Sequence, residues 1–215
     1  MIDAIIFDFD GVILESASIK TDAFAEVVSC YPKDVAAMFV DYHMNNMGIS
    51  RNVKFRYFIE KILGEEYSVQ KEEELVKKFS NIVYEKVLNC KFVPGAEEFL
   101  EKYHKKIDLY IATGTPTDEI VEIVKKRNLK KFFKKVYGTP SSKAELTSKI
   151  ITENGYDKKK IIFVGDAGTD LNASKQNDIT FVGRSTKENL NIFKNVKIKV
   201  NDLFELDNLI ERDMI

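Results

Sequence analysis

The sequence predicts an α/β fold, in which a block of helices is inserted into a doubly wound parallel sheet. Three observations support this prediction. Residues 4–7 form a short apolar run, which is typical of a strand buried on both faces of a sheet. From Phe92 onward, short apolar runs alternate with helical patterns, as they do where helices cover both faces of a parallel sheet. Between these regions, residues 16–90 show helical periodicity and no convincing strand.

The helical block has amphipathic stripes, and Pro32, Gly48 and Gly64 separate them. In the alternating part, Pro94-Gly95 opens a helix and Gly155 closes another. The elements predicted there are a helix at 94–103, a strand at 107–112, a helix at 116–128, a strand at 135–138, a helix at 142–154, a strand at 161–164, a helix at 169–176, a strand at 179–182, a helix at 187–193 and a strand at 196–200.

Composition narrows the classes of function. At 215 residues the chain is long enough to bury a substantial core, in one domain or in one domain with an insert. Hydrophobic residues make up 44% of the chain and charged residues 31%, which is typical of a soluble globular protein. Lys and Arg number 33 against 34 Asp and Glu, so a dedicated nucleic-acid binder, which is usually strongly basic, is disfavoured.

The same features predict where the protein works. No apolar run approaches the ~20 residues of a membrane span. Asp3, Asp8 and Asp10 interrupt what would be the apolar region of a signal peptide. Cys30 and Cys90 lack metal-type spacing and are interpreted as free thiols. We therefore expect a cytoplasmic protein, a monomer or homodimer, with no membrane partner.

Two carboxylates follow the first strand directly. Asp8 and Asp10 lie two residues apart, so strand periodicity points them to the same side, and Gly11 lets the chain turn after them. The carboxyl edge of an open parallel sheet is where ligands bind. Carboxylates held this close require a cation or a shared proton. The alternative interpretation of this segment alone is an acidic turn after an edge strand.

Two later segments offer partners for these acids. Thr113-Gly114 follows an apolar strand and precedes a helix, so its hydroxyl and backbone N–H groups can bind a phosphate oxygen. Taken alone, this pattern is more typical of a simple helix N-cap. Asp166 and Asp170 follow another buried strand, and carboxylate oxygens suit Mg²⁺, which also binds substrate phosphate.

Residues 7–12, with the sequence Phe-Asp-Phe-Asp-Gly-Val, resemble the first motif of the haloacid dehalogenase superfamily. The other motifs of that superfamily follow in the expected order, so the resemblance covers the whole chain, and it is strongest to the phosphatase and β-phosphoglucomutase-like members. It implies a Rossmann-like catalytic core of residues 1–15 and 92–215. Residues 16–91 would form an α-helical cap over the site.

The resemblance implies catalytic roles for Asp8, Asp10, Thr113 and Lys143, and a substrate-binding role for Gly114. Asp8 would be the nucleophile that forms an aspartyl-phosphate, and Asp10 the general acid and base. Dehalogenases of the superfamily lack that second acid, so its presence points to phosphoryl transfer. Thr113 and Gly114 match the second motif and would bind the phosphate.

The resemblance also implies a metal site and a fixed cation. Asp8, Asp166, Asp170 and the backbone carbonyl of Asp10 would hold Mg²⁺. Lys143 would contact the transferring phosphoryl group. It follows Ser-Ser where family members often have Gly-Lys-Pro, so Lys149 remains the alternative lysine.

Substrate contacts are expected from the helical insert. Residues 46–51 resemble a specificity loop of related phosphatases, so Arg51 is predicted to contact substrate, with a surface helix start as the alternative. His43 is interpreted as a packing residue. Glu15 and Lys20 are expected near the hinge and the entrance of the site.

The predicted function is that of a Mg²⁺-dependent phosphatase acting on a small phosphorylated metabolite, either a sugar phosphate or a phosphorylated acid. A phosphosugar mutase would use the same residues, and a catalytically silent binding module would keep the fold alone. A phosphonate hydrolase is disfavoured because Asp10 is not replaced by a small residue and no cap lysine is evidently prepared for an imine.

Overall fold

The computed structural model describes residues 2–187 and 189–215. Its strands are β1 (Ala4–Phe7), β2 (Asp108–Pro116), β3 (Lys135–Thr139), β4 (Ile161–Gly165), β5 (Thr180–Arg184) and β6 (Ile198–Val200). Its α-helices are α1 (Ala17–Val27), α2 (Lys33–Asn45), α3 (Arg51–Tyr57), α4 (Val69–Asn89), α5 (Ala96–Tyr103), α6 (Thr117–Lys126), α7 (Lys143–Asn154), α8 (Gly168–Asn177) and α9 (Leu203–Glu211). A π-helical turn, Phe58–Ile62, continues α3.

The six strands form one parallel sheet in the order β3-β2-β1-β4-β5-β6. Every residue of β1 is buried, as expected of a central strand covered on both faces. Phe7 pairs with Ile111 on β2 and with Val164 on β4, so the carboxyl ends of these three strands lie side by side. This register brings distant parts of the sequence together at one edge of the sheet.

Side chains of β1 alternate between two cores, as the two-residue period of a strand requires. Ile5 and Phe7 belong to a core that also contains Phe99 of α5 and Leu206 of α9. The opposite face is covered by α7 and α8, whose buried apolar residues pack against Ala4 and Ile6. Helices therefore cover both faces, which confirms the predicted doubly wound, Rossmann-like α/β fold.

Helices α1 to α4 form a bundle between β1 and the rest of the chain, around a cluster of phenylalanines. The Phe24 and Phe79 ring centroids lie 4.2 Å apart, and those of Phe39 and Phe58 lie 4.8 Å apart. These rings are buried, so the bundle has an aromatic core. The division into a core of residues 1–15 and 92–215 and a cap of residues 16–91 stays a prediction.

The segments that join the bundle to the sheet run beside each other. The Glu15 N–H donates to the Lys91 carbonyl at 2.9 Å, and the Val93 N–H donates to the Ile13 carbonyl at 3.0 Å. Two backbone hydrogen bonds therefore tie the entering chain to the leaving chain, close to the predicted boundaries.

The helix predicted at 187–193 is wrong for the residues described there. Residues 189–195 form turns, and residue 188 lies outside the described residues. The Asn189 side chain donates to the carbonyls of Asp166 and Arg184, both at 2.8 Å, and accepts from the Thr186 N–H. Such side-chain hydrogen bonds to nearby backbone compete with a helix. They also tie this segment to the turn after β4.

Other predictions about local structure hold. α7 begins after Ser142, which forms a capping box with Glu145, and it ends at Gly155, whose φ is 66°. Cys30 and Cys90 are free thiols. Across residues 2–187 and 189–215, we find no helix with the length and apolar character that crossing a membrane requires.

Candidate active site

Three carboxylates converge at the carboxyl edge of the sheet. Asp8 follows β1, Asp166 follows β4, and Asp170 lies in the first turn of α8, where its Oδ2 accepts from the Ala167 N–H at 3.0 Å. All three are buried, and one carboxylate oxygen from each lies within 4.8 Å of the others. A side chain at Gly11, where φ is 76°, would overlap the Asp166 carboxylate. Gly11 therefore permits both the turn and the close approach.

Lys143 places one positive charge in this cluster. Its Nζ lies 2.7 Å from Asp8 Oδ2 and 2.5 Å from Asp170 Oδ1, and its side chain is buried. Burial alone would lower the pKa of Lys143, but Asp170 and Asp8 raise it, so the amine is charged. The alternative lysine, Lys149, is half exposed and lies near Glu153 on the surface. Between the two lysines, the structure brings only Lys143 to the carboxylates.

One lysine does not balance three carboxylates. Burial, together with the charges of Asp8 and Asp170, raises the pKa of Asp166 well above its ordinary value. Burial raises the pKa of Asp170 to about 7, with Asp8 adding to the effect, although Lys143 opposes it. Buried carboxylate oxygens with surplus negative charge fit a divalent cation such as Mg²⁺. The donor set therefore suits the predicted metal.

Asp10 lies apart from this cluster in a hydrogen-bond network of its own. Its carboxylate accepts from Ser16 Oγ at 2.6 Å and from Thr115 Oγ1 at 3.1 Å, and it pairs with Lys20 Nζ. Burial would raise the pKa of Asp10, but Lys20 and the hydroxyl donors lower it. The Asp10 side chain is thus ionised, and its hydrogen-bond partners are Ser16, Lys20 and Thr115. The metal contact predicted for the backbone carbonyl of Asp10 stays a prediction.

Glu15 and Lys20 were expected near the hinge and the entrance of the site. Lys20 lines the cavity and contacts Asp10 directly. Glu15 lies where the bundle joins the sheet, and both of its carboxylate oxygens accept from Arg184, at 2.5 and 3.0 Å. Arg184 also donates to the Gly11 carbonyl at 3.0 Å, so it supports the turn that carries the first two aspartates. Sequence reasoning missed Arg184, because nothing in the local pattern around β5 links it to a turn so distant in the chain.

Thr113 and Gly114 line the same cavity as Asp8. Their binding of phosphate stays a prediction. Thr113 Oγ1 accepts from the Thr115 N–H at 3.3 Å. A Cβ added to Gly114 would lie 2.5 Å from the carbonyl oxygen of Gly48 in the helical bundle. Gly114 is therefore needed because the bundle approaches the sheet closely at this point. This steric requirement is separate from its predicted role as a backbone donor.

Arg51 lines the same cavity, but other side chains of the protein already bind it. Its guanidinium donates to Glu119 on α6 at 2.8 and 2.7 Å and to Ser80 on α4 at 2.6 Å. It also stacks over the Phe79 ring, 4.7 Å from the centroid. Three of the five donor hydrogens of the guanidinium are used in this way. The predicted contact between Arg51 and substrate stays a prediction. The structure shows in addition that Arg51 links α3 of the bundle to α6 through Glu119.

The cavity between the strand ends and the bundle has a volume of about 60 Å³. Two of its lining residues, His43 and Lys54, are buried polar groups of the bundle. Lys54 Nζ lies 2.7 Å from His43 Nδ1, and His43 Nε2 lies 3.0 Å from Thr21 Oγ1. His43 is therefore a hydrogen-bonded residue of the cavity and not a packing residue only. Sequence reasoning missed Lys54, although it follows Arg51 by three residues and so shares its helix face.

Similarity to known proteins places this site in a family. The model of the haloacid dehalogenase-like hydrolase family matches residues 5–184, which is most of the chain. The chain belongs to the haloacid dehalogenase-like hydrolases. The predicted family, and with it the assignment to an enzyme of hydrolase type, is confirmed.

Three similar proteins each share 29% or less of their aligned residues with this chain. The phosphorylated carbohydrates phosphatase of Thermotoga maritima is 29% identical over 136 residues, which cover 61% of this chain. This chain spans 58% of the length of that curated relative. The crystal structure of β-phosphoglucomutase from Clostridium difficile covers the whole of both chains, with a TM-score of 0.76 and 19% identity. A predicted phosphoglycolate phosphatase from Haemophilus somnus has a TM-score of 0.75 and 19% identity, over 97% of this chain and 98% of its own. At such identities these structures support the fold alone.

The buried contact between Arg51 and Glu119 leads to a first prediction. Glu119→Ala should lower the free energy of unfolding by about 2 kcal/mol, because it leaves a buried guanidinium without its carboxylate. Glu122→Ala is the matched control on the same helix, since Glu122 forms an exposed ion pair with Lys126 and should cost less than about 0.5 kcal/mol. Urea unfolding measures both values. Equal losses in the two variants would contradict a stabilising bridge.

Proposed function

We propose that this protein is a Mg²⁺-dependent phosphomonoester hydrolase, which acts on a small phosphorylated metabolite through an aspartyl-phosphate on Asp8. The metabolite would be a sugar phosphate or a phosphorylated acid. The proposal rests on one observation: Asp8, Asp166 and Asp170 are buried within reach of a single ion, with Lys143 between Asp8 and Asp170. An acidic cluster on the surface would not support this proposal, because water would solvate its carboxylates.

Asp8 is held in position for attack on phosphorus. Its Oδ1 accepts from the Phe9 N–H at 2.7 Å, and its Oδ2 faces Lys143. A carboxylate oxygen of Asp8 forms the new bond to phosphorus, and the bond from phosphorus to the ester oxygen breaks. Thr113 Oγ1 and the Gly114 N–H would bind phosphate oxygens beside it.

Asp10 acts as the general acid in the first step and as the general base in the second. It first donates a proton to the departing ester oxygen, and it then takes one from the water that hydrolyses the aspartyl-phosphate. Because Lys20 and the hydroxyl groups keep the resting Asp10 ionised, a proton must be gained when substrate binds. A phosphate dianion near a carboxylate raises the pKa of that carboxylate, which favours this gain.

The side chains of Asp8, Asp166 and Asp170, with the backbone carbonyl of Asp10, would hold the ion. Bound Mg²⁺ would supply positive charge that offsets the charge of the phosphate. Lys143 keeps its own positive charge in this arrangement, since Asp8 and Asp170 raise its pKa. It would keep the nucleophile and the phosphate oxygens at a short separation.

A screen of some dozens of phosphorylated metabolites, with Mg²⁺ and with a chelator, tests the proposal. We expect release of inorganic phosphate from a subset of small esters, and only when Mg²⁺ is present. An isomeric sugar phosphate as product would identify a mutase, which uses the same aspartates but returns the phosphoryl group to sugar. If no compound is turned over, a binding module of the same fold becomes the better account.

A further inference from the structure

The cations around the active-site cavity differ in their partners. Lys143 pairs with Asp8 and Asp170, Lys20 with Asp10, and Arg51 with Glu119. Within residues 2–187 and 189–215, no carboxylate pairs with the fourth cation, Lys54, whose hydrogen-bond partner is His43 Nδ1.

Lys54 is nevertheless among the most buried side chains of the protein. It is 2% exposed, and it lines the cavity that also contains Asp8 and Thr113. Its ammonium lies 4.9 Å from the centroid of the Phe24 ring, which gives weak compensation for the lost water. Burial lowers the pKa of Lys54 to about 7, and the positive charges of Lys20 and Lys143 add to that effect. A buried amine of this kind gains an interaction when an anion enters the cavity.

His43 holds the amine in place without adding charge. Burial, Lys54 and Lys20 lower the pKa of His43 to about 3, so the imidazole is neutral. Its Nδ1 therefore accepts from Lys54, and its Nε2–H donates to Thr21 Oγ1. Thr21 in turn donates to the Ala17 carbonyl at 3.2 Å. This series of hydrogen bonds uses one of the three ammonium hydrogens of Lys54.

We propose that Lys54 binds a carboxylate of the substrate, so that the enzyme selects phosphorylated acids over sugar phosphates. This inference rests on the proposed phosphatase function and chooses between its two substrate classes. A buried amine that has no carboxylate partner among residues 2–187 and 189–215 favours a substrate with a second anionic group over a neutral sugar. Arg51 is less suited to this role, because Glu119 already binds it.

Turnover of two matched esters tests the proposal. The substrates are 2-phosphoglycolate and 2-hydroxyethyl phosphate, which differ in a carboxylate replaced by a hydroxymethyl group. Wild-type enzyme should prefer 2-phosphoglycolate. Lys54→Gln, which can still donate to His43, should reduce that preference about 30-fold, mainly through KM, because a charged hydrogen bond is lost. Lys61→Met, at an exposed position in the π-helical turn, should keep the wild-type preference.

Binding of non-hydrolysable ligands separates this proposal from the proposed catalysis. In the presence of Mg²⁺, 3-phosphonopropionate should bind wild type more tightly than propylphosphonate does, and Lys54→Gln should remove the difference. If Lys54→Gln removes this difference in affinity but neither ester is turned over, the proposed phosphatase activity is contradicted and the role of Lys54 is retained. Equal loss of affinity for both ligands, or no loss, would overturn the role of Lys54. Lys54→Met provides a second variant, and circular dichroism identifies any variant that fails to fold.

Discussion

Replacing Asp8 by Asn is expected to abolish hydrolysis of phosphate esters while the fold is kept. An amide oxygen is a poor nucleophile, so kcat should fall by at least about 10³-fold. The change is nearly isosteric, and the side-chain oxygen can still accept from the Phe9 N–H. Release of inorganic phosphate from the best substrate of the screen measures the effect.

The stability of the same variant should change in the opposite direction. Three buried carboxylates face one lysine, so removing one negative charge relieves repulsion, and metal-free Asp8→Asn should melt above metal-free wild type. Asp34→Asn, an exposed aspartate in the first turn of α2, serves as the control and should change neither property. Undiminished turnover in Asp8→Asn would refute the assignment of the nucleophile.

Mg²⁺ is expected to raise the melting temperature of the wild-type protein by about 5–10 °C. Ligand at 100 times its Kd contributes about 2.7 kcal/mol, and each kcal/mol corresponds to about 2–4 °C in a chain of this size. Asp166→Asn should remove most of the shift, because Asp166 is one of the three clustered carboxylates. Asp178→Asn, a change at an exposed residue just after α8, should keep the shift in melting temperature.

Asp170 makes one identifiable contribution to the pH dependence of the metal-free protein. Its pKa is raised to about 7 in the folded state, against 3.8 ordinarily, so the folded state binds more protons at this residue between these values. The stability that Asp170 contributes should therefore fall as pH rises from about 4 to about 7, and the shift caused by Mg²⁺ should grow over the same range. Because the lowered pKa of His43 acts in the opposite direction, the contribution of Asp170 is measured as the difference between wild type and Asp170→Asn. Thermal melts with chelator and with Mg²⁺ at several pH values test this. A constant shift from pH 5 to pH 8, or persistence of the shift in Asp166→Asn, would contradict the proposed metal site.

A buried lysine of the bundle bears on the case against a phosphonate hydrolase. The sequence showed no cap lysine evidently prepared for an imine, yet Lys54 is a buried lysine of the bundle with a pKa lowered to about 7. One of the two reasons against a phosphonate hydrolase therefore no longer holds. The other stands, because Asp10 is present and hydrogen-bonded in the site.

Local patterns in the sequence were sufficient for the fold class and for the acidic residues of the site. Strand and helix periods are properties of neighbouring residues, and motifs at the ends of parallel strands meet wherever those strands pair. Asp8, Asp166 and Asp170 therefore converge as expected. The predicted helix at 187–193 was wrong for the residues described there. Asn189 bonds to the nearby backbone of Thr186 and Arg184 and to the distant backbone of Asp166, and no local pattern reveals the contact with Asp166.

The partners of the cations depended on how the bundle meets the sheet. No pattern along the chain pairs Arg51 with Glu119, because this contact forms only when α3 approaches α6. Nor does any pattern show that, among the residues that the structure describes, Lys54 has a histidine and no carboxylate as its partner. Charges buried in this way act strongly on one another, since little water separates them. Burial in the folded protein, together with charges that are distant in sequence, therefore sets the pKa values of Asp170, His43 and Lys54.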